Sequence, residues 1–340
     1  MKSKTIYKAD RLEVDSSGPF KKIALLIESA KKLLVVSHID PDGDALGTQL
    51  AFAAYLRSLG KEVTLVREDA IPDRYKFLPG IDRIQHIDDI KDSLDIDTVI
   101  ALECPKLSRA GVVISSLGDD IKIINIDHHQ DNDNYGQVKW INKDASSVGE
   151  MVYELFESFR YQIDEETAIL LFTAILTDTG RFRYESTSGR TLEIAGKLIE
   201  AGANPRDICD KVFYDLQPAT IKLIGNVLSN AEFIDDGKTC LLSLPLEILE
   251  STEGGEAESE GIAEYSLYGK GVTLGVTFKE GNRGATRISL RSRGNPNVAR
   301  LAAVFGGGGH ICAAGCSISK PLLEAKKEFL KKLNEFQVDR

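Results

Sequence analysis

The residues that could do chemistry fall in four short clusters. His38-Ile39-Asp40-Pro41-Asp42-Gly43-Asp44 follows the apolar run 33–36, and Glu103 ends the run 99–102. Asp127-His128-His129 follows the run 121–126, and Thr177-Asp178-Thr179-Gly180 ends the apolar stretch 168–176. Each cluster alone has an ordinary explanation. An Asp-rich turn caps the next helix, and a lone acid at a strand end is solvated. Together they set imidazoles and carboxylates at the ends of three strands and one helix. In an open α/β sheet the ligand site lies beyond the carboxyl ends of the strands. Mixed imidazole and carboxylate donors suit Mn²⁺, with Fe²⁺, Co²⁺ or Mg²⁺ as alternatives, better than a closed structural zinc site. Two such ions sharing a carboxylate would activate a water and neutralise charge on a phosphoryl group. Cys104 follows Glu103 but has no base partner in sequence, so no nucleophilic arrangement competes.

The elements that must carry these clusters alternate. The pattern predicts helices over 19–29, with Ser17 as a cap, and over 45–59 up to Gly60. It predicts strands over 33–36, 61–66, 97–102 and 121–126. Strands alternating with helical stretches imply an α/β fold with a largely parallel sheet. Helices are expected over 146–159, 165–176, 192–200 and 207–213. From Thr239 the character changes, with strands expected over 241–244, 272–278 and 285–290 and helices over 297–305 and 321–333. The Gly-, Glu- and Ser-rich stretch 254–261 reads as an exposed loop. These patterns give a first domain over 1–190, a helical linker over 191–234 and a smaller second α/β domain over 235–340.

Composition narrows the partners. The 340 residues carry a net charge of −10, with 42% hydrophobic and 28% charged residues, as in a globular protein long enough for two cores. Long duplex nucleic acid calls for a basic field, so it is excluded as a partner; a small anionic substrate is not. No apolar run approaches 18 residues and residues 1–18 lack the apolar centre of a signal peptide, so no membrane is expected and the location is read as cytoplasmic. Five scattered cysteines agree with reduced thiols. Cys312 and Cys316 form a loose pair without a second pair beside it, which argues against zinc.

A second region binds rather than cuts. Gly306 to Gly309 would let backbone N–H groups approach an anion, although a plain tight turn also uses glycine. His310 follows directly, and Arg287, Arg291 and Arg293 precede it. On a strand these arginines share one face.

Taken together, Ser37 to Gly47, Asp127-His128-His129, Thr177 to Gly180 and Gly306 to His310 followed by Ala313-Ala314-Gly315 resemble the DHH/DHHA1 phosphoesterase family. The resemblance runs from about Lys31 to Leu333 and is closest to its nanoRNase and 3′-phosphoadenosine-5′-phosphate phosphatase branch. It implies an N-terminal DHH catalytic domain and a C-terminal DHHA1 substrate-binding domain. It implies two divalent ions, one held by His38 and Asp42, the other by Asp44, His128 and Asp178, with Glu103 between them. Asp127 would orient a histidine and His129 would face the phosphate, both in catalytic roles. Arg291, Gly307, Gly308, Gly309 and His310 would bind substrate. Arg109 is expected to be a structural salt-bridge partner. Glu103 departs from the family's usual Asp by one methylene. The implied substrate is a short RNA or small nucleotide, taken in a cleft between the domains, and a homodimer is compatible with the pattern. Cyclic-di-AMP or pApA cleavage and pyrophosphate or polyphosphate hydrolysis would use the same metal core. A nucleotide-binding protein with little turnover is the reading from another class.

Overall fold

The computed structural model describes residues 18–90, 94–118, 120–250, 261–281, 284–294 and 296–335. The chain divides into two compact units at Asp215 and Leu216.

The first unit is built on six strands: β1 (Lys32–Val36), β2 (Glu62–Arg67), β3 (Gln85–His86), β4 (Thr98–Leu102), β5 (Lys122–Asp127) and β6 (Val138–Ile141). Their order is β3-β2-β1-β4-β5-β6, and every pairing is parallel. A parallel sheet is covered on both faces, so its inner strands read as unbroken apolar runs. Leu33, Val35, Ile100, Leu102, Ile124 and Ile126 enter one core, while Leu34, Val36, Val99 and Ala101 enter another. The helices are α1 (Pro19–Ser29), α2 (Gly43–Ser58), α3 (Ile87–Ile90), α4 (Val148–Ser158), α5 (Glu165–Asp178), α6 (Gly189–Glu200) and α7 (Pro205–Cys209). The last runs into a π-helical turn, Asp210–Tyr214. The strand order reverses between β1 and β4. That switch point opens a crevice at the carboxyl ends of both strands, where His38 and Glu103 stand.

Helix α5 is brought close to this crevice by glycines. A Cβ on Gly47 would lie 2.5 Å from the Leu170 carbonyl, and one on Gly43 would lie 2.5 Å from Thr177 Oγ1. Without side chains there, α2 and α5 approach backbone to backbone, and the end of α5 that bears Asp178 reaches the start of α2 that bears Asp44.

The second unit has helix α8 (Pro218–Ser229) and a mixed sheet of β7 (Glu232–Ile234), β8 (Thr239–Leu244), β9 (Leu274–Glu280), β10 (Thr286–Ser292), β11 (Gly308–Gly309) and β12 (Ala313–Ile318). Its order is β11-β12-β10-β9-β8-β7. Only β8 and β9 run parallel, joined through α9 (Leu246–Glu250) and α10 (Ile262–Tyr265). Helices α11 (Val298–Ala303) and α12 (Leu322–Glu335) supply Leu301 and Phe329 to a core with Val276, Phe278, Ile288 and Leu290.

The expected linker over 191–234 is not a separate element. Leu198, Ile208 and Val212 belong to the first core, and Leu223 and Val227 to a core of the second unit. The apolar face of each helix is buried within one unit, so the division falls between them. Ser17 and residues 254–260 of the expected loop lie outside the described residues; Gly261 is the left-handed N-cap of α10, with φ 83°. Among the described residues no helix is long and apolar enough to cross a membrane.

Candidate metal centre

Asp42 opens the site as the N-cap of α2, its carboxylate accepting the Ala45 N–H at 3.0 Å. His38 lies on the loop from β1, with Nδ1 2.7 Å from the Ile39 carbonyl and Nε2 3.9 Å from Asp42 Oδ1. The loop is tied to its surroundings by Ile39 N–H on the Arg109 carbonyl at 2.7 Å. Arg109 contributes through its backbone. The expected salt bridge is absent, since among the described residues no carboxylate comes within 4 Å of its guanidinium.

Asp44 is fully buried in the first turn of α2. Its two oxygens accept the Val148 and Gly149 N–H groups at 2.7 and 2.8 Å. These are the first residues of α4, whose own N-cap is Ser147. A helix N-terminus stabilises negative charge, so the start of α4 holds Asp44 in place. No spacing in the sequence could have revealed a contact across 104 positions.

Glu103 follows β4 at φ 54°, in the left-handed region. That conformation costs a residue with a Cβ about 1–2 kcal/mol, and such strain gathers at functional sites. It turns the side chain inward, where Oε1 lies 3.4 Å from His128 Nε2 and 3.5 Å from His129 Nδ1. Oε2 is buried with no hydrogen-bond partner among the described residues.

His128 Nδ1 sits 3.0 Å from the Ala145 carbonyl. That contact turns Nε2 toward Glu103 and toward Asp178 Oδ2, 3.3 Å away. His129 Nδ1 is 2.9 Å from Asp127 Oδ1, whose other oxygen accepts the Asn132 amide at 2.6 Å. Asn132 in turn accepts from Asn125 at 3.2 Å and from the Asn134 N–H at 2.7 Å. This amide relay is not legible in the sequence, where its one signal is Asn132 closely following the histidine pair.

Two groups of donor atoms each lie within 4.8 Å of one another in this unit: Asp44, His128 and Asp178, and Glu103, His128 and His129. Three carboxylates and two imidazoles converge there, and no lysine or arginine pairs with Asp44, Glu103 or Asp178 among the described residues. Burial, with the Glu103 and Asp178 charges, raises Asp44 well above the usual carboxylate range. Burial also raises Asp178, to about 7, although His128 opposes it. For the histidines burial is the largest single influence and pulls the other way, but the surrounding carboxylates together outweigh it, foremost among them Glu103. With Asp178 it lifts His128 well up, and with Asp127 it lifts His129 to about 9. Asp127 is held below the carboxylate range against its burial by hydrogen bonds from His129 and Asn132. Buried like charges without a counter-ion are costly. A divalent cation is the counter-ion that carboxylate and imidazole donors accept, and the orphaned Glu103 oxygen fits one.

In the second unit, burial alternates along β10, so Arg287, Ser289 and Arg291 share the face opposite Ile288 and Leu290. Arg291 Nη1 donates to the Leu290 carbonyl at 3.0 Å. Arg293 lies past the strand and donates to the Leu267 carbonyl at 3.0 Å. The glycine run forms a hairpin, β11 against β12. Gly308 pairs with Gly315, and a Cβ on Gly307 would lie 2.1 Å from the Gly315 carbonyl. Gly309, at φ 137°, has no room for one either. His310 closes the hairpin turn, exchanging backbone hydrogen bonds with Ala313 at 2.7 and 3.2 Å.

Comparison with known proteins agrees with this arrangement. Residues 32–175 match the DHH family, N-terminal domain, and residues 251–339 the DHHA1 domain. Over 315 residues, 90% of this chain and 92% of the relative, the sequence is 30% identical to a bifunctional oligoribonuclease and PAP phosphatase NrnA of Thermus thermophilus. It is 27% identical over 291 residues, 84% of this chain and 89% of the relative, to the Bacillus subtilis protein of that name. An exopolyphosphatase-related protein from Bacteroides fragilis superposes with a TM-score of 0.86 at 30% identity, over 95% of this chain and 97% of that one. With its buried carboxylates and imidazoles at the switch point of a parallel sheet, the chain belongs to the DHH family of metal-dependent phosphoesterases and carries a DHHA1 domain.

Proposed function

We propose that the protein hydrolyses short oligoribonucleotides and 3′-phosphoadenosine-5′-phosphate in the cytoplasm, using two divalent ions, Mn²⁺ by preference. The observation that carries this reading is the convergence of buried Asp44 and Glu103 and partly buried Asp178 on His128 and His129, with no lysine or arginine partner among the described residues. The oligoribonuclease and PAP phosphatase activity named for the Thermus and Bacillus relatives supports the substrate class. His38 and Asp42 would hold one ion and Asp44, His128 and Asp178 the other, with Glu103 serving both. When bound, the ions supply charge neutralisation at the phosphoryl group and a water acidic enough to attack it. The chain's own residues do the rest. Asp127, fixed by Asn132, sets the tautomer and orientation of His129, which we assign to the phosphate. Arg291, the backbone of Gly307, Gly308 and Gly309, and His310 are assigned to binding the nucleotide.

The test is a substrate panel with Mn²⁺: a dinucleotide, a five-nucleotide RNA, 3′-phosphoadenosine-5′-phosphate, cyclic-di-AMP and pyrophosphate. Turnover of the first three is expected. Turnover confined to cyclic-di-AMP or to pyrophosphate would overturn the substrate assignment. No turnover of any of the five, with Mn²⁺ bound, would leave only the nucleotide-binding reading.

A further inference from the structure

The segment after Asp178 is the most strained stretch of the first unit. Gly180, Arg181 and Phe182 have φ of 55°, 64° and 60°, three left-handed residues in succession. Single left-handed residues end many helices, but consecutive ones with side chains are rare. They persist only where the surroundings determine them.

Here the surroundings do so. Gly180 N–H returns to the Thr177 carbonyl at 3.1 Å and Arg181 N–H to the Leu176 carbonyl at 2.8 Å, the pattern of a helix ended by a left-handed glycine. A Cβ on Gly180 would lie 2.4 Å from the Tyr184 ring. Phe182 packs edge-on to Phe172, with ring centroids 6.0 Å apart. The Arg181 guanidinium lies over Phe213, 4.7 Å from its centre, on the π-helical turn.

Thr179 is the hub, and it is fully buried. Its hydroxyl donates to the Ile175 carbonyl at 2.6 Å and accepts the Phe182 N–H at 3.1 Å. Its carbonyl accepts the Arg183 and Tyr184 N–H groups at 3.0 and 2.9 Å. On the other side of Asp178, Thr177 seats against Gly43 of α2. Asp178 is the last residue of α5, and a helix end frays unless it is held. With Thr177 locked to α2 and Thr179 locked to the turn, the residue between them has one place to be.

We propose that Thr179 is a positioning residue: its hydroxyl welds the left-handed turn to the last turn of α5 and so fixes the Asp178 carboxylate beside Asp44 and His128. This rests on the reading of Asp178 as a metal ligand. Groups that orient a ligand set metal affinity by about 10–100-fold when removed.

The experiment compares Mn²⁺ binding and metal-free thermal unfolding in four full-length proteins: wild type, Thr179→Val, Thr179→Ser and Thr173→Val. Thr173 makes the same back-bond, to the Ile169 carbonyl at 2.8 Å, but lies a turn away from the end of α5. Thr179→Val should weaken Mn²⁺ binding about tenfold, and Thr179→Ser should restore it. Thr173→Val should lower the unfolding temperature without changing Mn²⁺ affinity. Equal affinity in wild type and Thr179→Val would overturn the inference while leaving the metal site standing. So would an equal loss in Thr173→Val, because it would mark a purely structural effect. Wild type that binds no Mn²⁺ would instead sink the reading of the site itself. Should Thr179→Val fail to fold, Thr179→Ala, which removes the hydroxyl without adding a methyl group beside the turn, gives the second reading: a loss of Mn²⁺ affinity of about tenfold would support the inference, and unchanged affinity would overturn it.

Discussion

The two units use polar and small residues for opposite reasons. In the first, Asp44, Glu103, Asp127, His128 and His129 are all at most 5% exposed, where charge is expensive, and one Glu103 oxygen has no hydrogen-bond partner among the described residues. In the second, Gly307 and Gly309 are demanded by the backbone of their own hairpin, and Arg291 and Arg293 already donate to carbonyls nearby. A buried charge with no steric duty points to a ligand. A glycine whose Cβ has no room is explained before any ligand is invoked. The metal centre thus rests on energetics, while the nucleotide-binding assignment leans on the relatives.

Glu103 is where the two units differ most, and its replacement has the largest expected effect. Glu103→Ala removes the orphaned oxygen and should abolish nearly all turnover, on the order of a thousandfold, if the residue serves metal chemistry. In the metal-free protein the same variant should lower the pKa of His128 and His129, since Glu103 is a main cause of their rise. Imidazole titrations by NMR that do not move would place Glu103 outside the site. Glu103→Asp is the subtler change. Aspartate tolerates the left-handed backbone better, but its carboxylate falls one methylene short of His128 and His129, so kcat at saturating Mn²⁺ should fall about tenfold. A rise in kcat would mean that the site has not adapted to the longer arm.

The next effect is on pH. Asp178 is raised to about 7 and His129 to about 9, and Asp44 and His128 are raised in direction. A group whose folded pKa lies above its unfolded value contributes stability below the unfolded value and loses it as pH climbs through the folded one. The metal-free protein should therefore lose stability steadily from about pH 4 to pH 9. Metal bound by the deprotonated carboxylates should flatten that slope. Thermal melts in chelator and in Mn²⁺ across this range are the check; identical slopes would count against the centre.

Smaller effects sharpen the contrast. Asn132→Ala cuts Asp127 loose from one of its two hydrogen bonds and should lower kcat about tenfold with less change in Mn²⁺ affinity. Gly307→Ala should cost the second unit about 1–3 kcal/mol of stability and leave Mn²⁺ affinity unchanged. A shift of Mn²⁺ affinity in Gly307→Ala would blur the distinction between the units.

Much of the first unit was legible because its signals are local. Apolar runs bounded by Asp, His and Gly marked β1, β4 and β5; beyond β4 and β5, Glu103, His128 and His129 come together, while His38 beyond β1 stands beside Asp42. What escaped was relational. The clamp of α4 on Asp44, the left-handed backbone of Glu103 and the amide relay through Asn132 depend on packing that no window of sequence contains. In the second unit, β12 was missed because Ala-Ala-Gly-Cys-Ser-Ile has little strand character of its own; it is a strand because β10 pairs along its length. The short strands β3 and β7 and the partly buried β6 carry too few residues for periodicity to declare them. The helices over 191–234 were legible as helices but not as members of either unit, since an apolar face does not say which core it enters.

The hold of α4 on Asp44 has a consequence for synthesis. The two partners are 104 positions apart, and the end of α5 comes later still, at Asp178. A ribosome adding about 5–20 residues per second exposes the first histidine seconds before the last carboxylate. During that interval the emerging chain has loose single donors but no enclosed cage, and contacts of such long separation form late. An ion met early can be let go again; one met after residue 178 has emerged can be kept. With these residues as the ligands, an enclosed cage for the ions exists only once nearly the whole first unit has emerged.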